Sequence, residues 1–264
     1  VGIRIGEGGR IEAKGATAAI KDIKDDITVF ENGDWVSINS SIKYARVAIS
    51  NDENVRYDGN SIVYEDSGNI VKGEWVMLAP YYPISVAGVK LHRYRRKLTS
   101  DRFSSFISAG SLEYDSKDHR ITLTDATIVS DDYYAAIMSS HPSKFLLIGC
   151  KGANKITTSR GSAIRVSDKS SPTIQGVGDN ASLELYPSTG DNYPGIWDDS
   201  HEGELKIRDI DLTIASTTSC IGTSQQSKRL SLSNLNASLT TTSNDALIDG
   251  FSQLTLEKAY VRQP

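Results

Sequence analysis

The chain has 264 residues but only two cysteines and two methionines. That excludes a scaffold held by several disulfides, and a Cys-x-x-Cys metal or redox site. Histidine is scarce too. His92, His119, His141 and His201 are scattered, form no His-Glu-x-x-His motif, and read as turn or surface residues. A P-loop and a Gly-x-Ser-x-Gly elbow are absent. There is no run of about 18 apolar residues and no N-terminal signal segment, so no transmembrane span is expected in this stretch. Neither charge sign dominates: 29 Lys and Arg stand against 33 Asp and Glu, a net charge of −4. Without a basic stripe, nucleic acid is not the expected partner. The one basic cluster, Arg93-Tyr94-Arg95-Arg96-Lys97, reads as a solvated loop.

What is present is a repeat. In the second half three short strand signatures recur in fixed order. Leu205-Lys206-Ile207, Leu212-Thr213-Ile214 and Cys220-Ile221 are followed by Leu230-Ser231-Leu232, Ala237-Ser238-Leu239 and Leu247-Ile248. Leu254-Thr255-Leu256 and Tyr260-Val261 then begin the order again. Leu205 to Leu230 is 25 residues and Leu230 to Leu254 is 24. A period in this range marks a repeat architecture. Each element alternates apolar and polar residues, as a half-buried strand does, and none is long enough for a useful helix. One set of three strands cannot bury its apolar side; stacked sets can, each strand bonding its equivalent about 4.8 Å above and below. The pattern therefore predicts an all-β chain, a parallel β-helix with three faces, right-handed by analogy with crossover connections. A β-sandwich of short strands is the alternative.

The same order extends backwards. Ile121-Thr122-Leu123, Ala126-Thr127-Ile128 and Ala135-Ala136-Ile137 make one coil. Leu146-Leu147-Ile148, Asn154-Lys155-Ile156 and Ala163-Ile164 make the next, and Thr173-Ile174-Gln175, Leu183-Glu184-Leu185 and Gly195-Ile196 a third. The third-element isoleucines 137, 164, 196, 221 and 248 are spaced 27, 32, 25 and 27. The long gap implies an insertion, placed at Tyr186 to Tyr193. In this register Cys150 and Cys220 lie about three coils, roughly 14 Å, apart. A disulfide needs Cα atoms within about 7 Å, so two buried free thiols are expected.

The first half is less regular. Gly2-Ile3, Arg10 to Ala13, Ala18-Ala19-Ile20, Ile27 to Val29, Val36 to Ile38 and Val47-Ala48-Ile49 resemble coil elements. Ser61 to Tyr64 and Gly73 to Leu78, around Asp66-Ser67-Gly68-Asn69, read as a hairpin. Pro80 and Pro83 punctuate the chain and set the expected boundary, residues 1–78 closing one β-helix unit and 79–264 forming a second. Ile84 to Leu91 reads as a single strand. Ser111 to Tyr114 and Arg120 to Leu123, joined by Asp115-Ser116-Lys117-Asp118, read as a hairpin that caps the coils, which otherwise expose an apolar end. The opening Val1-Gly2-Ile3-Arg4-Ile5 already reads as a strand, so a fragment of a longer chain is expected.

Three stretches together carry a resemblance: Ile84 to Leu91, Gly110-Ser111-Leu112-Glu113-Tyr114-Asp115, and Ile121-Thr122-Leu123-Thr124-Asp125-Ala126-Thr127-Ile128. They are similar to a recurrent unit of large bacterial cell-surface proteins with β-helix repeats, a family described as adhesins or carbohydrate-binding-domain-like. Asn69 to Val76 resembles the close of a preceding unit. Ile84-Ser85 stands where the family usually has Leu-Trp. The resemblance implies a β-helix, an extracellular or cell-surface location, and a polysaccharide or a host glycan or protein as partner. It supplies no catalytic residues.

For chemistry, the best candidate is Tyr193-Pro194-Gly195-Ile196-Trp197-Asp198-Asp199. Aromatic rings stack on sugar faces and carboxylates accept hydroxyl hydrogen bonds. Asp131-Asp132-Tyr133-Tyr134 lies at the equivalent flank two coils earlier. If those flanks align, Asp132, Tyr134, Trp197 and Asp198 line one side, with Tyr193 and Asp199 beside them. The plainer reading makes Asp198-Asp199 a turn and Trp197 a lid on the core. No catalytic or metal-ligating residue is assigned and no cofactor is expected. The expected function is a non-catalytic surface protein whose rigid face serves adhesion or glycan binding. One alternative is a polysaccharide lyase or glycoside hydrolase, which would need paired carboxyls, or Lys206 and Arg208 as enolate stabilisers. The other is a structural spacer.

Overall fold

The computed structural model describes residues 18–21, 45–50, 57–58, 61–62, 75–92, 96–140, 145–167, 171–187, 193–200, 203–225 and 227–263. The chain forms two compact units, residues 1–82 with 92–94, and residues 83–91 with 95–264. Among the described residues there is no α-helix, and no helix long and apolar enough to cross a membrane.

In the first unit, Ala18–Lys21 and Ala45–Ser50 both pair antiparallel with the start of a long strand, Trp75–Val86. Ser61–Ile62 pairs with Tyr57–Asp58. Ala18-Ala19-Ile20 and Val47-Ala48-Ile49 are thus strands, as expected, but in antiparallel pairs rather than parallel coils. Trp75 to Leu78 bonds to these two strands, and the described part of the expected partner, Ser61–Ile62, bonds elsewhere. The proposed turn at 66–69, and the elements at 2–3, 10–13, 27–29 and 36–38, lie outside the described residues. Pro80 and Pro83 do not break the chain, because Trp75–Val86 runs through both. Proline lacks only the N–H, so a strand tolerates it where that donor is not required.

The second unit is a β-solenoid of about five turns, built from three parallel ladders. The first ladder aligns Ile121, Ile148, Ile174, Ile207, Leu232 and Leu256. The second aligns Ile128, Ile156, Leu185, Ile214 and Leu239. The third aligns the five isoleucines 137, 164, 196, 221 and 248, the file anticipated from spacing. All of these are buried except Ile248 and Leu256, which lie in the last coils. Alternation explains the arrangement: each strand contributes every second residue to the interior and the next to the surface.

The extra residues of the long coil are divided between two loops. Ile174 to Leu185 is 11 residues where Ile148 to Ile156 is 8, and Leu185 to Ile196 is 11 where Ile156 to Ile164 is 8. The insertion expected at Tyr186 to Tyr193 is therefore half of the answer. A corner residue in the left-handed region recurs in every coil: Asp125, Gly152, Asn180, Asp209, Asn234 and Lys258, with φ from 46° to 68°. This bend separates the first strand from the second. Asp and Asn tolerate it because the short side chain can hydrogen-bond locally. Asn234 donates to Asp209 Oδ1 at 2.8 Å, and Asp125 Oδ1 accepts the Ala153 N–H at 3.0 Å. Gly152 has to lack a side chain, since a Cβ would lie 2.0 Å from that same oxygen.

The first coil is covered. Lys97–Thr99 and Ile107–Asp115 pair antiparallel in series, the second lying on Arg120–Ser130 with Tyr114 opposite Ile121. This is the hairpin the sequence indicates. On the third ladder, Ile84-Ser85-Val86 pairs antiparallel with Ile137 to Ser139. The stretch 84–91 is not one strand. It turns back at Ala87 and Gly88, with φ of 47° and 76°, into Val89–His92. Two successive positive-φ residues suit a two-residue hairpin, and the turn escapes notice because alanine rather than asparagine stands first. His119 is a turn residue but not a surface one. It is buried, with Nδ1 2.7 Å from the Tyr114 hydroxyl and Nε2 3.4 Å from Ser139 Oγ.

Cys150 and Cys220 are both buried and free. Burial pushes the thiol of Cys150 up to about 12 and that of Cys220 up to about 11. Thiolate is the reactive form, so at pH 8 roughly a thousandth or less of either thiol is reactive. Iodoacetamide is expected to leave the folded protein unlabelled and to add two adducts once it is unfolded in guanidinium. Mass spectrometry after timed labelling checks this. Rapid native labelling of either thiol would contradict the burial.

Candidate functional site

The third ladder presents a column of outward positions: Met138, Arg165, Trp197 and Gly222. Arg165 is the centre of the site. Its guanidinium lies 5.6 Å from the Trp197 ring and 5.9 Å from the rings of Tyr134 and Tyr193. The rings also touch one another. Centroids are 5.2 Å apart for Tyr133 and Tyr134, 6.3 Å for Tyr133 and Tyr193, and 5.3 Å for Tyr193 and Trp197. All three contacts are edge-on, the geometry favoured by ring quadrupoles, and a guanidinium against ring faces adds cation–π attraction.

Local sequence explains how these loops converge. Asp132 Oδ1 accepts the N–H of Tyr134 at 2.9 Å and of Ala135 at 3.4 Å, while its own N–H is held by Ser130 Oγ at 3.1 Å. The Asp132 carboxylate thus folds the turn that presents Tyr133 and Tyr134, both about half exposed. Gly161, at φ 64°, leaves room for the backbone of those tyrosines, where a Cβ would come within 2.6 Å of both carbonyl oxygens. Gly222 leaves room for Pro194, whose Cγ would lie 2.6 Å from a Cβ there.

Asp199 locks the cluster from the side. Its Oδ2 accepts from Arg165 Nη2 at 2.8 Å, and its Oδ1 accepts from the Trp197 indole N–H and from Ser224 Oγ at 2.7 Å. Both oxygens are occupied within the protein, so Asp199 positions the ring and the guanidinium.

Of the six residues nominated from sequence, Tyr193, Trp197, Tyr134 and Asp199 gather around Arg165, and Asp132 supports them from its turn. Asp198 does not belong to this surface and is withdrawn from it. Alternation from Ile196 turns Trp197 outward and Asp198 inward, in line with Val166. Its carboxylate is fully buried, 2.9 Å from Lys228 Nζ and 2.6 Å from Ser200 Oγ. Burial pushes its pKa up, against the lowering influence of the Lys228 ammonium and the Ser200 hydrogen bonds. Sequence reasoning missed Arg165. The signal was available, because Arg165 follows Ile164 as Trp197 follows Ile196.

Lys206 and Arg208 lie on the first ladder, beside Thr173 and Gln175, and not on the face that carries Trp197. Lys206 pairs with Glu204 at 3.5 Å, and Arg208 donates to Gln175 Oε1 through Nε at 3.1 Å and Nη2 at 2.7 Å. Among the described residues no group of three or more His, Cys, Asp or Glu side chains is placed to hold a metal ion.

The fold and this surface define the protein as a β-solenoid with an arginine-centred aromatic cluster on one face. No protein-family model matches the chain, no curated protein matches its sequence, and no solved structure matches it.

Proposed function

We propose that this is a non-catalytic binding protein, extracellular or at a bacterial cell surface, whose third face engages glycan. The observation that carries the reading is the set of three aromatic rings held around Arg165, with Tyr133 packed edge-on against two of them. Exposed ring faces of Tyr133 and Tyr134, with Trp197 and Tyr193 beside them, suit the apolar faces of sugar rings, and phenolic hydroxyls suit sugar hydroxyls. The enzyme alternative finds less support. Hydrolysis needs two carboxyls facing one open site. Asp198 points into the coil toward Lys228, while Asp199, just past the end of the strand, points to Arg165 and Ser224.

Calorimetric titration against a panel of neutral and anionic oligosaccharides tests the reading. Trp197→Ala is expected to weaken binding on the order of tenfold, the worth of one stacked ring, while the thermal melt stays near that of the parent. Well-folded protein that binds no member of the panel would count against glycan and favour a spacer role. Release of reducing ends, surviving in Asp199→Ala, would favour an enzyme acting elsewhere on the chain.

A further inference from the structure

Asp198, Ser200 and Lys228 form a polar cluster inside the solenoid with no part in the outer surface. Asp198 and Lys228 side chains are wholly buried, and Ser200 is buried between them. Lys228 Nζ lies 2.5 Å from Ser200 Oγ and 2.9 Å from Asp198 Oδ2, and Ser200 Oγ lies 2.6 Å from Asp198 Oδ1. The approach to Oδ2 is close yet poorly aligned. That oxygen accepts no hydrogen bond of normal geometry among the described residues. The amine nitrogen thus lies directly against the carboxyl group, with Ser200 Oγ in contact with both. A near-attack arrangement brings reacting atoms to about 3–3.5 Å, and a nitrogen this close to a carboxyl oxygen has little distance left to travel to the carbon.

The energetics point the same way. Two full charges in an apolar interior carry a large desolvation cost, which their attraction offsets only with good geometry. Burial favours the neutral acid at Asp198. Passing one proton from ammonium to carboxylate leaves a neutral amine beside a neutral acid, and Ser200 Oγ touches both groups and can relay it.

We propose that Asp198 and Lys228 condense to an intramolecular amide that staples the third coil to the corner before the fifth. The Nζ lone pair attacks Cγ and a C–N bond forms. One carboxyl oxygen leaves as water with two protons taken from the amine and the acid. Ammonium plus carboxylate thus become amide plus water, with no change in oxidation state and no co-reactant. The product removes both charges from the interior. It closes a loop over residues 199–227 in a chain whose two thiols are free and buried. Such a closure restricts the unfolded chain as a disulfide does.

Intact mass and peptide mapping of the purified, folded full chain test the proposal. The expected mass is one water below the sequence mass, with a branched peptide joining the segments that contain Asp198 and Lys228. Lys228→Met is expected to restore the full mass. Succinimide formation at Asp58-Gly59 or Asp249-Gly250 also loses one water, but it would persist in Lys228→Met and give no branched peptide. If that variant does not fold, the parent map decides alone. A full sequence mass in folded protein, or only linear peptides around both residues, overturns the amide.

Discussion

Ile221→Asp is expected to destabilise the second unit by about 3–5 kcal/mol, a large fraction of the about 5–15 kcal/mol by which a folded domain is usually stable. Ile221 occupies the fourth place in the third-ladder file, between Ile196 and Ile248, and is buried. Above and below it are other isoleucines, so an introduced carboxylate has no cation or donor within the file. The charge has either to stay buried, at a large cost, or to take up a proton. Losing the isoleucine contacts adds to this, since a buried side chain of that size contributes about 1.5–3 kcal/mol. On the surface of the same coils the effect should vanish. Lys206 is half exposed, and Ser231 is next to it on the outward file of the first ladder; Lys206→Ala and Ser231→Ala should each cost under about 0.5 kcal/mol. Urea unfolding of the three variants gives the ranking. Loss at Lys206 or Ser231 exceeding that at Ile221 would show that the faces are assigned the wrong way round.

Asp198→Ala should be nearly as damaging, by about 3–5 kcal/mol, because it takes the carboxylate away from the buried Lys228 ammonium. Lys228→Met should be damaging for the mirror reason, leaving the Asp198 carboxylate buried with only Ser200 hydrogen bonds. The double variant, Asp198→Ala with Lys228→Met, is expected to be more stable than either single one. It removes both charges and leaves the Ser200 hydroxyl as the polar group at that site. Stability of the four proteins in denaturant forms a double-mutant cycle, and non-additivity of this sign is the signature of two groups in contact. Additive losses would mean that the two side chains do not meet inside the coil. A thermal melt at several pH values adds a further check. In Lys228→Met the remaining carboxyl is desolvated and its pKa raised, so the folded state holds the proton more tightly than the unfolded state. Stability is then greatest below the ordinary carboxylate range and falls as pH rises from there through the raised pKa of the folded state.

Much of the solenoid was legible in the sequence, because a stacked architecture repeats one local condition. Isoleucine at 137, 164, 196, 221 and 248 marks five equivalent rungs, and uneven loops do not disturb a file whose members pair strand to strand. The hairpin around Asp115 to Asp118 was legible for a similar reason, its turn residues lying between two alternating runs. The Ala87-Gly88 turn was not, since alanine is rare at positive φ and only its surroundings hold it there. The first unit misled for the opposite reason. Short alternating runs such as Ala18-Ala19-Ile20 satisfy parallel and antiparallel ladders equally, and no property of the run itself chooses between them.

The candidate site divides along the same line. Trp197, Tyr193 and Tyr134 were found because aromatics beside acids stand out in a chain poor in both tryptophan and charge excess. Asp198 was assigned to the surface because its flank was taken to align with that of Asp132 and Tyr134 two coils earlier. The partner that makes its burial tolerable, Lys228, stands 30 residues away.

By itself, then, the order of apolar residues determined that this chain winds into stacked coils and which residues share a file, since burying alternate side chains is a local demand repeated at every rung. Only the tertiary structure decided which charges go inside and which rings surround Arg165. Those outcomes depend on loops of unequal length meeting across coils, where no period in the chain relates one partner to the other.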